Sequence, residues 1–175
     1  MRLSRIAVLC CSIVGLAGIL SQPGMAASHK MKKDAAAAVV DFKITDGPAV
    51  KAINKSLTGK PGDMAAGEKT MTNRRKGNCL ACHVISKWKV KAEKTPKRYA
   101  DMGHIAPPLD GAADRYTEGE LRMLIVNAKQ AFPDTIMPGF YRTNKLTRVM
   151  GKFKGKTVIS AQDVEDILAV LLTLK

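Results

Sequence analysis

Two stretches of the chain repeat apolar residues at helical spacing. Leu121, Leu124, Ile125 and Ala128 fall at i, i+3, i+4 and i+7, and Thr117-Glu118-Gly119-Glu120 in front of them forms a capping box. Val164, Ile167, Leu168, Leu171 and Leu172 keep the same period behind Ser160-Ala161-Gln162-Asp163, a second helix start. A further helix is predicted from about Asp63 to Arg74, with Asp63 as cap and Ala65, Ala66 and Met71 as a narrow apolar stripe. A short one is predicted from Asp34 to Phe42 in an Ala- and Lys-rich leader, closed by the turn composition Thr45-Asp46-Gly47-Pro48. Residues 84–116 and 132–155 read as irregular, and strand-like alternation is confined to Thr157–Ile159. The pattern predicts an all-α chain of short helices joined by long loops.

Composition sharpens this. An apolar fraction of 46% excludes a disordered chain, yet one Trp, three Tyr and four Phe in 175 residues make a thin side-chain core for loops this long. The net charge of +14 invites nucleic acid. The N-terminus redirects that reading. Arg2 and Arg5, the uncharged apolar run Ile6–Leu20 and Gly24-Met25-Ala26 have the layout of a secretory signal peptide over residues 1–26. The run is shorter than the roughly 20 residues that span a bilayer, so no membrane anchor is expected. The expected location is the periplasm, with an N-terminal extension over 27–56 and the main domain over 57–175. There a basic surface addresses an acidic protein or a sulfur or phosphorus oxyanion, and no nucleic acid. Cleavage also removes Cys10 and Cys11, leaving Cys79 and Cys82 and excluding a disulfide framework.

Those two cysteines stand in Cys79-Leu80-Ala81-Cys82-His83, a C-x-x-C-H attachment site for one covalent haem c. Two thiols three positions apart can form thioethers with the two porphyrin vinyl groups, and the following imidazole turns to the iron. The porphyrin then supplies the missing core. A thioredoxin-like motif needs a βαβ context, and a zinc site needs a second ligand pair; neither is present in the sequence. For the sixth iron ligand, Met137 in Thr135-Ile136-Met137-Pro138 has the stiff loop setting, and His104 is the bis-His alternative. Met102, Met123 and Met150 compete less well, Met123 because it falls off the apolar face of its helix. The Pro107 carbonyl in Ala106-Pro107-Pro108-Leu109 is the candidate acceptor for the second ring nitrogen of His83, against a reading of the proline pair as loop stiffening.

The ordered set Gly77–His83, Pro107-Pro108-Leu109, Tyr116 with Leu121-Arg122, Pro133–Pro138 with Phe140-Tyr141-Arg142, and Ala161–Asp166 resembles the SoxX family, monohaem c-type cytochrome subunits of SoxAX complexes. The resemblance runs from about Leu57 to the end. It implies a class I cytochrome c fold in which the helix near Asp63 crosses the C-terminal one, with Cys79 and Cys82 as thioether residues, His83 proximal and Met137 distal. It also implies a SoxA-like cytochrome as heterodimer partner, the carrier SoxYZ and a downstream cytochrome c acceptor. The activity it implies is that of an L-cysteine S-thiosulfotransferase that couples thiosulfate oxidatively to a SoxYZ cysteine, in which this chain is expected to be the electron acceptor, with no catalytic residue of its own. Two positions depart from the family pattern: Ala106 stands where glycine is usual, and Val170 where an aromatic residue is expected in the last helix.

A free periplasmic monohaem electron shuttle is the competing reading, and a haem with an open distal site is a third. The basic stretch Lys87–Arg98, between His83 and the Pro107 loop, is a candidate docking surface as well as an ordinary solvated loop.

Overall fold

The computed structural model describes residues 39–95, 99 and 102–175. The expected signal peptide, the first part of the expected extension, the helix start expected at Asp34, and Lys97 and Arg98 lie outside them. Five α-helices are described: α1 (Met64–Met71), α2 (Lys89–Lys94), α3 (Ala112–Arg115), α4 (Glu118–Asn127) and α5 (Ala161–Leu171). The strands β1 (Thr45–Asp46) and β2 (Lys51–Ala52) pair antiparallel, with Thr45 opposite Ala52. The architecture is therefore all-α with one minimal hairpin.

The two strongly periodic segments fold as their sequences dictate. Thr117 caps α4 and Ser160 caps α5, each in a reciprocal capping box. In α5 the face Val164, Ile167, Leu168 and Leu171 is buried. Each such side chain removed from water contributes about 1.5–3 kcal/mol before chain entropy is charged against it. Met123, expected off the apolar face of α4, is also buried, because α4 is covered on nearly all sides.

Helix α1 packs on α5 through an absence of side chain. A Cβ on Gly67 would lie 2.0 Å from the Asp166 carbonyl oxygen and 2.9 Å from Val170 Cγ2, and one on Gly62 would lie 2.1 Å from the Glu165 carbonyl oxygen. The buried face of α1 is thus Gly67, Thr70 and Met71, whereas Ala65 of the expected stripe is exposed. The helix also stops at Met71, with Thr72 as its C-cap, short of the expected Arg74. Val170, at the position where the family pattern has an aromatic residue, packs at this crossing with its Cγ2 beside the space that Gly67 leaves. The acidic residues of α5 complete the joint. Asp166 accepts from the Asp63 N–H (2.9 Å), Asp163 from the Thr70 hydroxyl (2.9 Å) and Lys76 (3.1 Å), and Glu165 from the Leu57 N–H (2.8 Å).

Glu165 also pairs with Arg122 of α4 at 3.0 Å, and both are buried. The Arg122 guanidinium donates further to the Ile53 carbonyl at 2.8 Å. A charge pair this dry holds only because its hydrogen bonds are satisfied. Among the described residues no buried side-chain nitrogen or oxygen lacks a partner.

Residues 39–56 lie along this body as an arm. No helix forms over 39–42; the Val40 N–H instead donates to the Tyr141 hydroxyl at 3.0 Å. The segment read as a closing turn, Thr45–Pro48, is the first strand and turn of the hairpin, closed by Gly47 N–H to Val50 O at 2.9 Å. Glu120 holds that turn by accepting from the Ala49 and Val50 N–H groups at 2.6 and 2.7 Å. Burial pushes the Glu120 pKa up, but the N–H groups of Val50, Thr117 and Ala49 and the Thr117 hydroxyl outweigh it and hold the carboxyl at about 2.

Two other expectations are corrected. The strand at Thr157–Ile159 does not form, because the Val158 and Ile159 N–H groups both go to the Phe140 carbonyl (2.9 and 3.3 Å) and have no strand to pair with. Residues 84–116 contain the short α2 and α3 and a 3₁₀ turn at Ser86–Trp88 rather than loop alone. Trp88, Tyr99, Phe140 and Tyr141 are all buried, so the side-chain core is fuller than the aromatic count suggests.

Candidate functional site

Gly77 and Asn78 turn the chain out of the α1 region. Asn78 is left-handed (φ 49°), and a Cβ on Gly77 would lie 3.0 Å from the Thr70 carbonyl oxygen and 3.3 Å from Cys79 Sγ. A 3₁₀ turn over Cys79–Ala81 follows. The Cys79 carbonyl accepts from the N–H groups of both Cys82 (3.2 Å) and His83 (3.0 Å), which gathers the two thiols and the imidazole on one turn. Burial pushes the Cys79 thiol up to about 12; its own backbone hydrogen bond opposes this and Cys82 adds to it. Reactive and zinc-binding C-x-x-C thiols are shifted the other way. Among the described residues no three His, Cys, Asp or Glu side chains form a metal-binding group.

The segment 103–109 runs beside this turn as a backbone ladder. Gly103 N–H donates to Leu80 O (2.8 Å), Ala106 N–H to Cys82 O (3.0 Å) and Leu109 N–H to Val84 O (2.9 Å). Between the last two, His83 Nδ1 lies 2.7 Å from the Pro107 carbonyl oxygen. A carbonyl can only accept, so the proton sits on Nδ1 and the lone pair of Nε2 is left for a metal. Ala106 takes the usual glycine position without a left-handed backbone. Gly103 does need to be glycine, since a Cβ there would lie 2.1 Å from the Ala81 carbonyl oxygen.

Residues that sequence reasoning passed over support this ladder. Asp110 accepts from the Ser86 N–H (3.0 Å), and Arg115 donates to the carbonyls of Asp110 (2.7 Å) and Pro108 (3.0 Å). The signal was the Asp110-Gly111 turn dipeptide behind the prolines; Gly111 is left-handed at φ 71°.

Met137 is half-buried and packs against the core, as do Cys79, Met102, Leu109 and Tyr116. Its N–H donates to the Thr135 hydroxyl at 3.2 Å. The loop in front of it is tied to the end of α4 by Lys129, which donates to the carbonyls of Pro133 (3.4 Å) and Thr135. The competing side chains sit elsewhere. His104 is exposed and Met102 half-buried, both at the ladder beside His83; Met123 is inside α4, and Met150 is 63% exposed.

The donor set of two thiols and a Nδ1-protonated imidazole, beside apolar half-buried residues, has the chemistry a covalent porphyrin requires. Comparison with known proteins agrees. The cytochrome c family model matches residues 64–175. A chain of the crystal structure of SoxXA from P. pantotrophus is similar at 39% identity and a TM-score of 0.63, over 75% of this chain and 94% of that one. No curated protein sequence matches. The chain belongs to the cytochrome c family as a SoxX-type cytochrome of class I fold, and its cofactor is one covalently bound haem c.

Proposed function

We propose that this chain is the electron-accepting subunit of a SoxAX-type L-cysteine S-thiosulfotransferase. The observation that carries the reading is the 39% identity to a SoxXA chain over 94% of that chain's length. Thiosulfate and a SoxYZ cysteine thiol join in an S–S bond, and the coupling releases one proton and two electrons. Bound haem supplies a one-electron iron couple. Cys79 and Cys82 would hold the haem through thioethers, and His83 and Met137 would ligate its iron, His83 as the proximal and Met137 as the distal residue. The Pro107 carbonyl orients His83 and strengthens its basicity. The ladder supports Met137 over His104 and Met102, because both of those sit in or beside the backbone that is bonded to the turn bearing His83.

With both cysteines spent on haem, the chain offers no thiol to sulfur, so the sulfur chemistry belongs to a SoxA-like partner and electrons pass on to a cytochrome c acceptor. The chain works in the periplasm after loss of residues 1–26, as a cytochrome domain over 57–175 with an extension over 27–56. No helix among the described residues is long and apolar enough to cross a membrane.

The test is affinity isolation of the tagged chain from cells oxidising thiosulfate. A second haem protein of SoxA type should co-purify, and removing the chain should abolish thiosulfate-dependent cytochrome reduction. A chain that isolates alone, with reduction surviving its removal, defeats the reading.

A further inference from the structure

The cations of this chain divide into those the fold uses and those it leaves outward. In the basic stretch after His83, Lys87 donates to the Thr173 carbonyl (3.1 Å) and hydroxyl (3.0 Å) and Lys91 pairs with Glu68, while Lys89 and Lys94 are exposed with the acid Glu93 beside them. A second stretch behaves differently. From Thr135 to Gln162 the sequence has no acid, and residues 142–156 hold Arg142, Lys145, Arg148, Lys152, Lys154 and Lys156.

This stretch is a loop with a closed neck and an organised path. At the neck the Phe140 carbonyl accepts from Val158 N–H (2.9 Å), and Tyr141 N–H donates to Val126 O (3.2 Å). The neck closes three positions after Met137. Arg142 is the loop's internal brace: it donates to the carbonyls of Asn144 (2.6 Å) and Lys145 (2.9 Å) and to Asn127 Oδ1 (3.2 Å). Lys145 and Arg148 adopt the left-handed backbone (φ 50° and 53°), which lysine and arginine rarely take. The other five cations are exposed, and none has an acidic partner among the described residues. Among them Leu146 is 39% exposed and Met150 63%.

We propose that residues 142–156 form a preorganised docking surface for an acidic protein. The charge is one-signed over the whole loop, so an acidic face is attracted and a basic one repelled. Exposed Leu146 and Met150 alternate with these cations along the loop, so the surface offers apolar as well as cationic groups, and methionine adapts to the shape it meets. Nucleic acid is less well served, because the one aromatic residue outside the neck, Phe153, is half-buried under Lys152 at 4.7 Å. A lipid surface would want an amphipathic helix, and the loop has only the 3₁₀ turn Gly151–Phe153.

The test uses the haem-loaded protein and oxidised flavodoxin as the acidic probe. Both partners are oxidised, so the result is independent of the electron-transfer role. Dissociation constants are measured at low and high ionic strength for the wild type, for Lys152→Glu with Lys154→Glu, and for Lys89→Glu with Lys94→Glu as an equal charge change elsewhere. The loop pair is expected to weaken binding about tenfold or more at low salt and to flatten the salt dependence, and the control pair to change it less than about twofold. Leu146→Ser with Met150→Ser keeps the charge and is expected to weaken binding at high salt too. No binding by the wild type, equal losses in the two charge pairs, or tighter loop-dependent binding to phosphatidylglycerol vesicles or duplex DNA than to flavodoxin would overturn the proposal.

Discussion

The segment that carries His83 and the loop that carries Met137 are held by different means. His83 stands in a backbone ladder: three N–H to carbonyl bonds join Leu80–Val84 to Gly103–Leu109, and a fourth carbonyl receives its imidazole. Met137 stands in a loop whose backbone bonds are local turns, Phe132 N–H to Ala128 O (2.8 Å) and Thr135 N–H to Phe132 O (3.1 Å); beyond these it is tied through side chains, the Lys129 ammonium and the Thr135 hydroxyl. A backbone ladder tolerates most side-chain changes, because the bonding groups belong to every residue except proline. A side-chain tether is lost with one substitution. The His83 side should therefore resist mutation outside its ligands and its one glycine, and the Met137 side should be adjustable.

The comparison is tested most severely by removing the proposed distal ligand itself. Met137→Ala in the haem-loaded protein should abolish the Met-to-iron charge-transfer band of the oxidised state. It should also lower the potential by a sizeable part of the about 0.8 V that axial ligands span. A retained band and an unchanged potential would reassign the distal ligand.

Gly103→Ala probes the ladder at the point where its path leaves no room. With the new Cβ 2.1 Å from the Ala81 carbonyl oxygen, the backbone must shift, at a cost of about 1–3 kcal/mol in thermal or denaturant unfolding. Ala106→Gly, three residues on and back toward the family pattern, should cost less than about 1 kcal/mol, since only unfolded-chain entropy changes. Equal losses at the two positions would show that the ladder is not governed by close approach at Gly103.

How far the sequence reaches follows the same division. The capping boxes and apolar periods of α4 and α5 are local signals, and both helices formed where those signals stand. The turn of Cys79–His83 is equally local. The hairpin at Thr45–Ala52 was not legible, because its stabilising partner, Glu120, is about seventy residues away, and a capping-box glutamate reads as fully occupied by its own helix. Gly67 and Gly103 were not legible either, since a glycine that permits close approach looks like any other until the opposing carbonyl is known. Half of the Arg122 pairing was legible, because Glu118 stands one turn before it on the same helix and meets it at 2.6 Å; the other partner, Glu165, waits on another helix. Even the helical reading of residues 39–42 failed on a distant contact, the Tyr141 hydroxyl.

Lys129→Met is a smaller perturbation of the Met137 side. It removes two charge-assisted hydrogen bonds from an exposed ammonium to the Pro133 and Thr135 carbonyls, which should weaken the loop by about 1 kcal/mol. The readout that separates positioning from general stability is the Met-to-iron band followed with temperature: the band should fade before global unfolding, and Lys129→Arg should restore it in part. A band that disappears only with global unfolding would mean that the loop is fixed by packing and not by this tether.

The smallest expected effect bears most directly on what the ladder is made of. If His83 is oriented by the Pro107 carbonyl, 2.7 Å from Nδ1, then the pyrrolidine ring is incidental and the oxygen is what matters. Pro107→Ala keeps that oxygen, with Pro108 still holding residue 107 to an extended conformation. Its cost should be below about 1 kcal/mol, from the freer unfolded chain alone, and the potential should stay within error of the wild type because the hydrogen bond that tunes the imidazole survives. Had the proline pair served only to stiffen the loop, the same substitution would loosen the proximal side and shift the potential while Ala106→Gly did the same. A shift in both variants would place the control of His83 in loop rigidity; a shift in neither leaves it in one backbone carbonyl, a group that no side-chain substitution at residue 107 can remove.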